Sequence, residues 1–240
     1  MTLNISSTKY LILTLSLVIT FTVLPTFTKS ISAELSKNQI ESLLFNSSAI
    51  PYNTTIPEWT AKWWKWAYSF SGYFNNPLLD PNGTALMKYQ PSDEPVFFLS
   101  GAYNSVANRT VTILSGKAVL FPVLNAEISF LDFPNAKGED DLKKALESDL
   151  GAATYVGAEL NGISLPYQRI KADLFDLSVA KNNIFNVRTG PTQAVADGYW
   201  VFLKPLPIGK YMIHIKGEQP FYRSEVTYHI SVTPPINTIK

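Results

Sequence analysis

GYWVFLKPL (198–206), GKYMIHIKG (209–217) and SEVTYHISV (224–232) form the C-terminal part of the chain as three runs punctuated by Gly and Pro, and their alternation decides the fold. In the second run Tyr211, Ile213 and Ile215 fall on one face of a strand, with Met212 and His214 on the other. In the third, Val226, Tyr228, Ile230 and Val232 take the apolar face and Thr227, His229 and Ser231 the polar one. A period of two, bounded by turn residues, is the signature of half-buried strands.

The same pattern extends toward the N-terminus through VFFL (96–99), RTVTIL (109–114), KAVLFPV (117–123), TYVGAEL (154–160) and YQRIKADLFDLSV (167–179). Ser115-Gly116 suits a tight hairpin, and Asn161-Gly162 is the strongest short hairpin signal in the chain. One helical stretch interrupts the strands: GEDDLKKALESDLGAA (138–153) places Leu142, Ala145, Leu146 and Leu150 on one face and gathers its acids at the N-terminal end. No sequence period repeats. Short strands at this spacing predict a mainly β protein, an antiparallel β-sandwich with one inserted helix and one Trp-rich N-terminal helix.

That N-terminal helix is EWTAKWWKWAYSF (58–70), which holds four of the chain's five tryptophans. Thr55 and Glu58 have capping-box spacing and Pro57 sits in the first turn, a strong helix start. On a helical wheel Trp59, Trp63, Trp66 and Phe70 lie at about 0°, 40°, −20° and 20°, a narrow stripe expected in the core. Trp64 and Tyr68 lie at about 140° and 180°, on the other side. Two explanations stand for them: a second buried contact against the polar lead-in of residues 34–54, or a stacking platform for a carbohydrate or peptide.

The first 33 residues read as a signal peptide: Lys9, an apolar run from Tyr10 to Leu24, Pro25 and the small-residue site Ile31-Ser32-Ala33. At about fifteen residues the run is short for a membrane span, so a secreted or cell-surface protein is expected, with an uncleaved N-terminal anchor as the alternative. The mature chain is then a lead-in (34–54), a single sandwich domain (55–235) and a tail (236–240). The 46% hydrophobic content of the full 240-residue sequence supports one sizeable core. A net charge of +1 with 16% charged residues supplies no electrostatic footprint for nucleic acid or anionic lipid. With no cysteine, a disulfide and a thiol nucleophile are both excluded. Sequons at Asn46, Asn53, Asn82 and Asn108 are glycosylation candidates.

The succession W-x3-WW-x-W (59–66), NP-x2-D-x2-G (76–83), Q-x5-VFFL-x-G (90–101), Arg109, GKAVLFPVLN (116–125) and DGYWVFLKPLPIGKYMIHIKG (197–217) resembles a family of uncharacterised exported bacterial and archaeal proteins. The resemblance spans most of the mature chain and implies export, but no reaction. Relatives in that family often carry one cysteine after the D-x2-G turn and one after the Arg; this chain has Ala85, Leu86 and Thr110 in those regions.

No phosphate-binding, dinucleotide, zincin or nucleophile-elbow motif is present, and no cofactor is expected. With only His214 and His229, a Ser-His pair would have to be assembled from distant segments. DPNG and KGEDD lack the alternating acids of a calcium loop. Polar residues inside apolar or turn-rich stretches are the better guide: Asn76, Asp80, Gln90, Arg109, Asn125 and Glu127, which join Trp64 and Tyr68 as ligand-binding candidates. Structural use competes with that reading, Asp80 as a turn residue and Arg109 as the partner of an acid. The function expected is an exported binding or structural module for a small molecule, glycan or cell-surface protein. The first alternative is a carbohydrate-active hydrolase with paired carboxylates among Asp80, Glu94, Glu127 and Asp132. The second is a copper site from Met212, His214 and His229 on one strand face.

Overall fold

The alternation read at the C-terminus is realised as a long hairpin of β8 (Gly209–Gln219) and β9 (Tyr222–Thr233), with Tyr211, Ile213, Ile215, Val226, Tyr228, Ile230 and Val232 all buried. The structure, a computed structural model, describes residues 36–73 and 76–235; the expected signal peptide and the tail 236–240 lie outside the described residues. The remaining strands are β1 (Val96–Phe98), β2 (Ser105–Leu114), β3 (Ala118–Ser129), β4 (Tyr155–Leu160), β5 (Ile163–Ser164), β6 (Gln168–Val179) and β7 (Gly190–Leu203). They form a four-stranded sheet in the order β1-β3-β7-β6 and a five-stranded sheet in the order β2-β9-β8-β4-β5, packed as a sandwich. The Asn161-Gly162 turn joins β4 to β5 as expected, both residues at positive φ.

Ser115-Gly116 does not make the expected hairpin. The turn carries the chain from β2 in one sheet to β3 in the other, with Gly116 at φ +91° and the Ser115 amide donating to Thr233 O at 2.7 Å. The strands themselves show why: β2 alternates buried and exposed, whereas β3 is buried continuously from Ala118 to Leu124, the pattern of a central strand covered on both faces. Because the chain changes sheet after β1 and again after β2, β1 and β3 run the same way. The pairs β1·β3 and β2·β9 are therefore parallel, while the other pairings in both sheets are antiparallel.

Four α-helices decorate the sandwich among the described residues, α1 (Lys37–Ser42), α2 (Ile56–Tyr68), α3 (Thr84–Lys88) and α4 (Glu139–Leu150), with one short 3-10 turn at Pro51–Asn53. The Thr55 capping box forms as predicted, Thr55 N donating to Glu58 Oε2 at 2.7 Å and Glu58 N to Thr55 Oγ1 at 3.4 Å. The tryptophan stripe of α2 lies on the four-stranded sheet, with Trp59 against Phe202 and Phe98, Trp63 against Trp200, and Trp66 against Phe98. Each buried indole N–H on that stripe finds a backbone carbonyl: Trp59 to Pro51 O (3.0 Å), Trp63 to Leu99 O (2.8 Å) and Trp66 to Tyr89 O (2.7 Å). The opposite face of the same sheet receives α4, whose Leu142 and Leu146 pack on Val195, Ala126 and Ile128. The lead-in is tied to the end of β7, Phe45 N donating to Phe202 O and Lys204 N to Leu43 O.

Strand β3 carries one irregularity. Pro122 pairs with Trp200 and Leu124 with Tyr199, so Val123 is an extra residue, a β-bulge. Beyond it the in-out parity of β3 is reversed, and Asn125 and Glu127 point to the side that Leu124 and Ala126 would otherwise take. The five-stranded sheet closes on this bulge: a Cβ at Gly217 would collide with the Val123 carbonyl oxygen, so only glycine fits.

Candidate functional site

β1 pairs only with Ala118–Leu120, which leaves β3 from Pro122 onward without a neighbour on that side. A cavity of about 360 Å³ lies along this free edge and touches every residue from Pro122 to Glu127. Its size falls in the range of small-molecule sites. The C-terminal half of α2 supplies Trp63, Trp64 and Tyr68; the segment after β1 supplies Gly101 and Tyr103; the β8–β9 turn supplies Gln219, Phe221, Tyr222 and Ser224. Phe185, from the loop before β7, closes another side.

The aromatic lining is continuous. Trp64 contacts Tyr68 (ring centroids 5.9 Å) and Phe185 (6.0 Å), Phe185 contacts Tyr68 (4.4 Å) and Tyr103 (5.7 Å), and Tyr103 contacts Tyr222 (5.9 Å). Trp64 and Tyr68 are thus buried on the second side of α2, but by Phe185 and the cavity wall. The lead-in, offered as their cover, instead reaches the other end of the helix, where Tyr52 packs on Trp59.

Among these rings sit polar atoms with no partner. Trp64 Nε1, Asn125 Nδ2 and both carboxylate oxygens of Glu127 are buried and make no hydrogen bond among the described residues. Glu127 as a residue is partly exposed, but neither of its carboxylate oxygens is. The bulge turns Asn125 and Glu127 inward, and β7 makes room for them by placing Gly198 and Ala196 directly opposite. A Cβ at Gly198 would stand 2.6 Å from Asn125 Cβ. Burial pushes the Glu127 carboxyl up to about 8; the adjacent Tyr68 hydroxyl opposes the rise without closing a hydrogen bond of normal geometry, and the Asp132 charge adds to it. The Tyr68 phenol is driven far above its ordinary value by burial and then by the Glu127 charge, and burial pushes Tyr222 up to about 12.

The raised Glu127 carboxyl has a measurable consequence for stability. The folded chain holds this proton more tightly than the unfolded chain, so the contribution is complete below the ordinary glutamate range and is lost as pH rises toward about 8. The melting temperature of wild type minus that of Glu127→Gln should therefore fall steadily between about pH 5 and pH 8, because the other titrating groups are common to both proteins. A difference that stays flat across this range would show that Glu127 ionises normally.

Of the eight ligand-binding candidates read from sequence, Trp64, Tyr68, Asn125 and Glu127 converge on the cavity. The other four repair the backbone. Asp80 accepts from the amides of Asn82 (3.1 Å) and Leu86 (2.8 Å), and Asn76 Oδ1 accepts from Leu78 N (2.9 Å). Gln90 clamps the edge strand β1, donating to Phe98 O and accepting from Phe98 N, both at 2.8 Å. Arg109 is fully buried and staples loops as anticipated, but through carbonyl and hydroxyl oxygens and not through an acid. Among the acids weighed as a hydrolytic pair, Glu127 alone lines the cavity; Glu94 binds Lys62 at 2.9 Å and Asp132 accepts from Ser129.

Met212 and His229 are directly opposite each other and His214 faces Thr227, so the three do share the outer face of the hairpin. His214 Nε2 is 3.2 Å from Glu225 Oε1. Among the described residues no group of three or more His, Cys, Asp or Glu side chains is placed to hold a metal ion. The four sequon asparagines are exposed. No helix among the described residues is long and apolar enough to cross a membrane. Sequence reasoning missed Tyr103, Phe185, Phe221 and Tyr222 as site residues. The available signal was aromatic residues set in polar turn segments, AYNS and QPFYRS, where no core demands them.

No protein-family model matches this chain, and no curated protein matches it. A chain in a solved structure of PbICP-C in complex with falcipain-2 is similar over 57% of this protein and 98% of its own length, at 12% identity and a TM-score of 0.24, a likeness too distant to inform fold or function.

Proposed function

We propose that this protein is an exported binding module whose aromatic cavity, at the free edge of β3, takes a small molecule or the end of a glycan or peptide. One observation carries the reading: Trp64, Asn125 and Glu127 line one cavity, and Trp64 Nε1, Asn125 Nδ2 and the Glu127 carboxyl oxygens are buried with no partner among the described residues. Native proteins leave few buried polar groups unpaired, since each costs about 1–3 kcal/mol, and a cluster of them beside an apolar wall is how binding sites fix ligand orientation. The arrangement offers two donors and one carboxyl to a ligand whose remaining surface lies on rings.

Trp64 provides the test, because its indole N–H is unbonded while those of Trp59, Trp63 and Trp66 are held by carbonyls. In a protein labelled with 15N-tryptophan, a panel of monosaccharides, oligosaccharides, dipeptides and small amines should contain members that shift the Trp64 indole resonance and leave those of Trp59 and Trp66, which lie outside the cavity lining, in place. Trp64→Phe should abolish the saturable response. If no compound moves that resonance, the cavity is a packing defect and the binding reading is lost.

Export rests on the apolar run 10–24, the Ile31-Ser32-Ala33 site and the resemblance to exported proteins. N-terminal sequencing of the protein recovered outside the cell should begin near Glu34. Recovery of the intact Met1 form in the membrane fraction would point to an anchored protein instead.

A further inference from the structure

We infer that the ligand of this cavity is an organic cation, an ammonium or quaternary ammonium group, held between the Glu127 carboxylate and the surrounding aromatic rings. The inference rests on the proposed binding function and assigns its ligand class. Among the described residues the lining contains two acids, Glu127 and Asp149, and neither lysine nor arginine. Among the described residues no cation neutralises Glu127: both of its oxygens lack a partner there, and the cavity also takes Trp63, Trp64, Tyr68, Tyr103, Phe185 and Tyr222 into its lining.

Physical chemistry favours a cation here for two reasons that act together. An ionised carboxylate withdrawn from water is costly unless an opposite charge meets it, so Glu127 keeps its proton in the free protein and a ligand ammonium is what makes the ionised form favourable there. Aromatic rings attract cations through their quadrupole, and the attraction grows when water is excluded. A neutral ligand satisfies the donors of Trp64 and Asn125 and leaves Glu127 protonated, gaining nothing from its charge. A cation that also carries an acceptor, such as a hydroxyl or carbonyl oxygen, satisfies all three. The titratable groups that act on Glu127 are Tyr68 from α2 and Asp132 from the turn after β3, and the cavity lining adds Tyr103 after β1, Asp149 at the end of α4 and Tyr222 from β9; none of them is basic.

Calorimetric titration with choline chloride, tetramethylammonium chloride and the neutral choline isostere 3,3-dimethylbutan-1-ol tests the assignment. Choline should bind roughly tenfold or more tightly than the isostere, the increment expected of a desolvated cation. Because quaternary ammonium does not titrate, its affinity should rise with pH through the Glu127 transition, and binding at neutral pH should release a proton to the buffer. Glu127→Gln should lose that release and roughly a factor of ten in choline affinity. The comparison of choline with its isostere, and the proton release, need no variant and hold even if Glu127→Gln folds poorly. Phosphatidylcholine vesicles separate two sources of the same chemistry: co-sedimentation competed by free choline assigns the cation to a lipid headgroup, and binding of choline without co-sedimentation assigns it to a free small molecule.

Equal affinity for choline and the isostere, or no proton release, overturns the proposal. So does a panel in which only neutral sugars shift Trp64, although the binding reading then survives. If neither cations nor sugars perturb the cavity, both fail.

Discussion

Arg109→Met is expected to cost about 4–6 kcal/mol of folding free energy, a large fraction of the whole stability of a typical domain. The Arg109 guanidinium donates to Asp80 O (2.6 Å), Ser100 O (3.0 Å), Ser100 Oγ (2.9 Å), Tyr228 Oη (2.7 Å) and Leu78 O (3.2 Å). It thereby joins the turn 78–80, the segment after β1, β2 and β9 at one buried point. No salt bridge forms at Arg109 among the described residues, so the planar fork acts through geometry more than through charge pairing. Methionine fills most of the volume but orphans several buried acceptors, each worth about 1–3 kcal/mol when left unmade. Lysine keeps the charge without the fork and should recover only part of the loss. Urea unfolding of the two variants against wild type measures both effects, and a loss under about 1 kcal/mol for Arg109→Met would show the network to be incidental.

Trp63→Ala should cost about 3–5 kcal/mol, as the truncation of a fully buried aromatic residue. Its ring touches Trp64, Trp66 and Trp200, and its N–H satisfies Leu99 O at 2.8 Å, where the chain leaves β1 for the other sheet. The loss combines cavity and orphaned carbonyl. Trp64→Phe should behave differently, costing about 1–2 kcal/mol, because it breaks no hydrogen bond and keeps an aromatic ring against Tyr68 and Phe185. Chemical denaturation of the two variants, read with the indole titration, separates the tryptophans anchored through their N–H from Trp64, whose N–H is unbonded beside the cavity. A Trp64→Phe loss as large as that of Trp63→Ala would make Trp64 one more core residue.

Much of the fold is legible because its rules are local. Thr55, Pro57 and Glu58 specify a helix start through atoms three residues apart, and the wheel separates Trp64 and Tyr68 from the stripe of Trp59, Trp63 and Trp66. Alternation in 209–217 and 224–232 specifies two strands with one buried face each. Asn161-Gly162 specifies its turn because positive φ is needed at both positions. Ser115-Gly116 misleads for the complementary reason: a two-residue turn is compatible with a hairpin and with a change of sheet, and only the cover on both faces of β3 chooses between them.

The site divides in the same way. Polar residues in apolar or turn-rich sequence are a common signal for two different uses, closing buried backbone groups and facing a ligand. Sequence alone determined the strands, the capped tryptophan helix and a set of eight polar and aromatic candidates, since each depends on neighbours within a few residues. Only the tertiary structure decided that Asn76, Asp80, Gln90 and Arg109 serve the backbone while Trp64, Tyr68, Asn125 and Glu127 meet at a cavity. The physical reason is parity and pairing. One extra residue at Val123 reverses the direction of every side chain after it, the early end of β1 leaves an edge uncovered, and the small residues Gly198 and Ala196 on a strand some seventy positions away provide the space.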